Sequence, residues 1–277
     1  MSIARLMQVA AAGNVPSGPV WTDPDLANAS YDSVSFSVLS QDNSPSGIFF
    51  KPDGQTLFIS GYQNNDIYQY SLSTAWDITT ASYTQNFSVS AQTSQVTDLF
   101  FKPDGSKMYI VENTNDNVHE YNISSSWDIT TASYSQSFSI TAKETAPQGF
   151  FFKSDGTKMY ISGSASDSIH EYDLSSAWDI STASFLQSFS VASQEIGPLS
   201  LFFNPNGTKM YFSGFGGDDV NEYDLSSAWD VSTASYLRNF FVGSQDANPA
   251  GIAFKSDGSK MYIVGLQNDA IYQYSTA

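Results

Sequence analysis

The side chains able to do chemistry are few, and most fall at repeating positions. Two histidines are present, His119 and His170, and no cysteine. A Ser-His-Asp or Cys-His nucleophile has almost no material here, and zinc ligation has as little. Both histidines occupy one position of a repeat, held by Tyr68, Asn221 and Tyr272 in the other copies. A group that Tyr and Asn replace is expected to pack or to hydrogen-bond rather than to catalyse. Asp98 is the one carboxylate immediately ahead of an apolar Leu99-Phe100-Phe101 run, where Gly47, Gly149, Ser200 and Gly251 stand elsewhere. Acid-base glycoside chemistry needs a pair of carboxylates. Asp98 alone therefore reads as a loop residue, and the chain as non-enzymatic, with no catalytic residue, no cofactor and no resident metal.

Residues suited to recognition cluster in one set of segments that differ between copies. They are Tyr62 with Asn64, Asn113 with Asn115 and Asp116, Asp167, Phe215 with Asp218 and Asp219, and Asn268 with Asp269. Tyr62 and Phe215 offer rings for stacking on a sugar, and the amides and carboxylates offer hydrogen bonds or a weak calcium site. Asn, Asp and Gly are equally the ordinary formers of turns, and both readings stay open.

The elements that must position these residues follow from a 51-residue period. Phe50, Phe101, Phe152, Phe203 and Phe254 mark it, as do Trp76, Trp127, Trp178 and Trp229. In one copy, Leu99-Phe100-Phe101 reads as a strand ended by Lys102-Pro103-Asp104-Gly105, in which Pro presets φ and Gly accepts a positive φ. Lys107 to Val111 and Val118 to Tyr121 read as two further strands, and Tyr134 to Ile140 alternates apolar and Ser as a half-exposed outer strand does. Four antiparallel strands per unit is one propeller blade, so five units predict an all-β, five-bladed propeller over residues 21–277. The N-terminal Trp21, Tyr31 and Phe36 imitate Trp76, Tyr83 and Phe87, so an N-terminal strand is expected to complete the last blade and close the ring. The nearly invariant Trp-Asp segments are assigned to structure.

Charge narrows the partners. Lys and Arg number 11 against 28 Asp and Glu, a net charge of -17, which disfavours nucleic acid and anionic membranes. No apolar run approaches the roughly 20 residues of a membrane span, so no membrane insertion is expected. Eight of nine lysines belong to the hairpins between first and second strands, from Lys51 to Lys260, and place the basic groups on one face. Local pairing with Asp53, Asp104, Asp155 and Asp257 is the simpler explanation, and an electrostatic docking face the alternative.

The repeat, with FFKPDGSKMYIV (residues 100–111) followed by NDNVHEY (115–121), resembles the blades of YVTN-type and NHL-type propellers. That resemblance implies the fold and leaves function open. Residues 1–20 lie outside the repeat. Ile3, Leu6 and Met7 share one face of a short expected helix, too short to be stable without a partner. The opening MSIARLMQVAAAG resembles the N-termini of virion structural proteins of marine tailed phages, which implies an arm docking on other virion proteins and displaying an exposed head. The expectation is a virion decoration or host-surface adhesin, soluble and extracellular when free, that binds a host glycan or protein. The alternative is a soluble multivalent lectin.

Overall fold

A computed structural model describes residues 20–276. Five four-stranded antiparallel sheets surround one axis. Blade one contains Pro45–Phe50, Thr56–Gly61, Asp66–Leu72 and Ala81–Ser88, from the innermost strand outward. Blades two to four repeat the pattern from Val96–Phe101, Pro147–Phe152 and Pro198–Phe203 as innermost strands. Blade five joins Pro249–Phe254, Lys260–Gly265 and Ala270–Ser275 to the N-terminal strand Ser30–Ser37. Tyr31 pairs with Tyr274 and Phe36 with Ile271, so the ring closes as the sequence predicts.

The hydrophobic core lies between blades. Strands alternate, and inner and middle strands are covered on both faces, so residues such as Phe101, Met108, Tyr109 and Ile110 are all buried. The outer strands only half-bury alternate residues, such as Gln136 and Phe138, and leave Tyr134 exposed.

Each first hairpin carries its glycine for a stated reason. Gly105 has φ 71° and donates to Lys102 O at 2.8 Å. A Cβ there would also overlap the indole of Trp127. Trp127 itself has φ 69°, unusual for a bulky residue, and the same holds for Trp76, Trp178 and Trp229. What offsets the strain is a set of bonds between blades. Tyr109 Oη donates to Trp178 O at 2.7 Å, Tyr160 Oη to Trp229 O at 2.7 Å and Tyr262 Oη to Trp76 O at 2.6 Å. The aspartates after Trp127, Trp178 and Trp229 accept from a glutamine of the preceding blade, Asp128 from Gln85 Nε2 at 3.1 Å, Asp179 from Gln136 Nε2 at 2.9 Å and Asp230 from Gln187 Nε2 at 2.7 Å.

The hairpin lysines are paired locally. Lys51, Lys102, Lys153 and Lys255 meet the aspartate two residues on at 2.8 to 2.9 Å. Lys107 meets Glu120 at 2.6 Å, Lys209 meets Glu222 at 2.7 Å and Lys260 meets Asp32 at 2.6 Å. Among the described residues no helix is long and apolar enough to cross a membrane. The arm expected over residues 1–20, with Ile3, Leu6 and Met7, falls outside the described residues except for Val20.

Candidate functional site

The five innermost strands run side by side in one direction, so equivalent residues form rings around the axis. Ser46, Thr97, Gln148, Leu199 and Ala250 form the ring at the mouth, on the face of the loops between second and third strands. A pocket of about 210 Å³ opens there, bounded also by Tyr62 and Asn248. Its polar groups are uncharged. Ser46 Oγ and Thr97 Oγ1 lie within hydrogen-bonding distance of carbonyls of the adjoining blade, Val96 O at 3.1 Å and Pro147 O at 3.2 Å. Ser46 Oγ also lies 2.9 Å from Ser60 Oγ, so when it donates to Val96 O it keeps one lone pair as an acceptor, and Thr97 Oγ1 keeps both. Gln148 donates one amide N–H to Ser164 Oγ at 3.2 Å, which leaves its carbonyl and second N–H for a ligand.

One residue deeper stand Gly47, Asp98, Gly149, Ser200 and Gly251. Here the structure corrects the sequence reading, because Asp98 lies within the strand Val96–Phe101 and is buried at the axis, not in a loop. Its Oδ1 accepts from Leu99 N at 2.8 Å. Its Oδ2 accepts from Phe150 N at 3.1 Å and from Ser200 Oγ at 3.2 Å, so one carboxyl links blades two, three and four. Burial pushes the carboxyl up to about 7, and these three hydrogen bonds offset only part of that effect. A Cβ at Gly47 would overlap Asp98, one at Gly149 the carbonyl of Leu199 and one at Gly251 the carbonyl of Ser46.

The loops around the mouth are built on buried carboxylates that the sequence reading missed. Asp42 accepts from Ser44 N at 2.8 Å and Asn64 N at 3.0 Å. Glu144 accepts from Ala146 N at 2.8 Å, Glu195 from Gly216 N at 2.6 Å and Asp246 from Asn268 N at 2.8 Å. In blade two Thr93 stands at this position, and Glu112 accepts from Thr114 N at 2.7 Å and Thr93 Oγ1 at 3.1 Å instead. The signal was present, since positions 42, 93, 144, 195 and 246 keep the 51-residue period. His170 Nε2 lies 3.3 Å from Glu144 Oε2, within hydrogen-bonding distance, whereas His119, 3.6 Å from Glu112, makes no hydrogen bond and packs against Tyr134; both histidines are buried. Although burial raises the Glu144 carboxyl, hydrogen bonds from His170, Ser166 and Ala146 bring it down to about 2.

Most of the candidate recognition residues are engaged in these loops. Asp116, Asp167, Asp218 and Asp269 take the left-handed turn position, with φ 55°, 47°, 50° and 51°. Asn64 and Asn268 donate from their side chains to Gln41 O and Gln245 O, both at 2.9 Å. Asp219 is buried and accepts from Asn221 Nδ2 at 2.6 Å. Asn115 N donates to Glu112 at 3.0 Å, and Asn113 is half-buried beside it. Tyr62 is half-buried at the mouth, and Phe215 is 58% exposed next to Ile196, itself 64% exposed. Among the described residues no three His, Asp or Glu side chains converge as a metal centre would require.

No protein-family profile matches the chain, and no curated protein does. It is similar in structure to a Bacteroides uniformis protein provisionally named a 6-phosphogluconolactonase, at a TM-score of 0.52 and 13% identity over 82% of this chain and 65% of that one. A Lactobacillus plantarum protein gives 0.52 and 14% over 83% and 67%. A Bacteroides fragilis protein, also provisionally named a 6-phosphogluconolactonase, gives 0.52 and 13% over 82% and 65%. The chain thus spans about two thirds of the length of these structures. None of the three is a phage protein or named for YVTN or NHL repeats. The expectation of a non-enzymatic chain is corrected by the same finding, since two of these propellers carry the name of a lactone hydrolase. Opening a lactone requires water attack on an ester carbonyl, not a carboxylate pair flanking a glycosidic bond, so the pair's absence does not exclude the class. At this identity the likeness establishes the propeller fold.

Proposed function

We propose that the propeller binds a small uncharged ring compound, a neutral sugar or sugar lactone, at the mouth of its central tunnel. The observation that carries this reading is the pocket of about 210 Å³ bounded by Ser46, Thr97, Gln148 and Asn248, with Tyr62 at its edge. It is smaller than the roughly 300 Å³ at which drug-sized pockets begin, and so suits a single ring. Hydroxyls and amides supply both donors and acceptors to a polyol, and the Tyr62 ring supplies a stacking surface. No Lys or Arg bounds the pocket and the net charge is -17, which works against a phosphorylated ligand. The names of the similar propellers make hydrolysis of a bound lactone the first activity to measure. Titration of the full chain with gluconolactone and a panel of neutral sugars, followed by NMR, is expected to give saturable binding. Gln148→Ala and Tyr62→Ala should each weaken it by about tenfold, the worth of one or two hydrogen bonds or a stacked ring. If no neutral sugar or lactone binds at millimolar concentration, the reading fails.

Display on a virion is a second reading, and one feature favours it. Thr22 N donates to Asp257 O at 3.0 Å, so the chain enters the propeller on the hairpin face. The described chain therefore starts, at Val20, on the side opposite the mouth. An arm docking through Ile3, Leu6 and Met7 would leave the mouth outward, where many copies make weak contacts effective through avidity. Deletion of residues 1–14 is expected to abolish incorporation into particles. Unchanged incorporation would remove this reading.

A further inference from the structure

Beyond Asp98 the tunnel holds an aromatic ring with one member missing. Phe49, Phe100, Phe151 and Phe202 occupy equivalent places in blades one to four. Neighbouring centroids are 5.2, 5.3 and 5.4 Å apart, with planes inclined by 70°, 72° and 68°, as one fifth of a turn per blade requires. Trp127 stacks on Phe49 at 6.3 Å, Trp178 on Phe100 at 6.4 Å and Trp21 on Phe202 at 5.9 Å. The fifth place is Ala253. Trp76, whose counterparts stack on a phenylalanine there, instead borders a cavity of about 80 Å³, together with Phe49, Phe100, Phe151, Phe202 and Asp98.

The chemistry of this lining is one-sided. Aromatic faces carry negative potential, Asp98 carries a carboxyl, and no cationic side chain borders the cavity. The fold does not require the carboxyl, since Gly or Ser serves in the other four blades. A carboxylate buried among phenyl rings without a counter-charge is costly, and three hydrogen bonds recover only part of its lost hydration. What the site lacks is a cation. Centroids at that spacing, set on a regular pentagon, would lie about 4.5 Å from its centre, within the ~6 Å reach of a cation–π contact. The cavity is about half the ~150 Å³ that admits benzene, so an arene is too large.

We infer that this cavity is a binding site for a small alkylammonium cation of methylammonium or dimethylammonium size, held by the phenylalanine ring and Trp76 and paired with Asp98. Ala253 makes the room, and the carboxyl sets the preference for charge. Since the carboxylate is the form that pairs, binding strengthens as pH rises through the Asp98 titration and levels off above it. Leu99, Phe150 and Ser200 are the groups bonded to the carboxyl, none of them titrates, and no other acid or base borders the cavity.

The test is titration of the full chain with dimethylammonium chloride, with ethanol as a neutral probe of similar size, followed by calorimetry and NMR. Dimethylammonium is expected to bind saturably and ethanol not to bind. Asp98→Asn should weaken binding by about tenfold or more and flatten its pH dependence, as loss of one buried charge partner does. Ala253→Phe supplies the residue that blades one to four carry, and should abolish binding while raising the melting temperature. Should that variant not fold, Ala253→Leu fills the same space. Absence of saturable binding, equal binding of ethanol, or full binding by the folded filled-cavity variant would each overturn the assignment.

Discussion

Burial raises the Asp98 carboxyl from 3.8 to about 7, and the sign of that shift sets a stability profile. Between those values the folded chain retains a proton that the unfolded chain has lost, so stability falls as pH rises from about 4 to about 7. At about 1.4 kcal/mol per pKa unit the full effect is a few kcal/mol at most. Asp98→Ser, which installs the residue of blade four, should remove this slope, measured as the difference in urea midpoint between mildly acidic and mildly alkaline buffer. A wild-type profile no steeper than the variant's would count against it. Glu144 behaves oppositely: held down at about 2, it stabilises the fold above its usual range and loses that contribution as pH falls towards 2. Neither shift was legible in the sequence. Asp98 sits among apolar residues in both readings, but its three donors come from blades two, three and four, brought together only at the axis.

Among the elements, the hairpin and the Trp-Asp segment work as one staple. The sequence displayed both motifs, and the structural role assigned to the tryptophans agrees with their packing over the hairpin glycines. What it did not display is the positive φ of Trp76, Trp127, Trp178 and Trp229, which no propensity favours and which neighbouring blades hold in place. Gly105→Ala is expected to cost about 1–3 kcal/mol by urea denaturation, combining left-handed strain with overlap on Trp127. Blade one supplies a gain of function: Phe58 stands where Tyr109, Tyr160 and Tyr262 donate to a tryptophan carbonyl. Phe58→Tyr should add that bond to Trp127 O, worth about 1 kcal/mol, and a loss of stability would show that the blade one seam is packed differently.

At the scale of the molecule, the two faces differ in kind. The hairpin face carries paired lysines and the entering chain, and the loop face carries the mouth. Deleting residues 1–14 should leave the melting temperature unchanged, because the bonds of Thr22 to Asp257 and Asp25 to Thr276 that seat the N-terminal strand remain. A marked fall would mean that the arm belongs to the propeller and not to a partner.

The blade, the count of five and closure by the N-terminal strand follow from the sequence alone. A pattern of apolar alternation and turns repeated every 51 residues allows few other pairings, and both ends of the chain complete the same unit. The loops were legible as turns but not as shells around Asp42, Glu112, Glu144, Glu195 and Asp246, because backbone N–H groups leave no mark in a sequence. Only the tertiary structure decided that Asp98 stands at the axis, and that Ala253 opens a space beside Trp76. Each substitution is ordinary within its own blade. Its consequence arises where five strands, far apart in sequence, converge around one line.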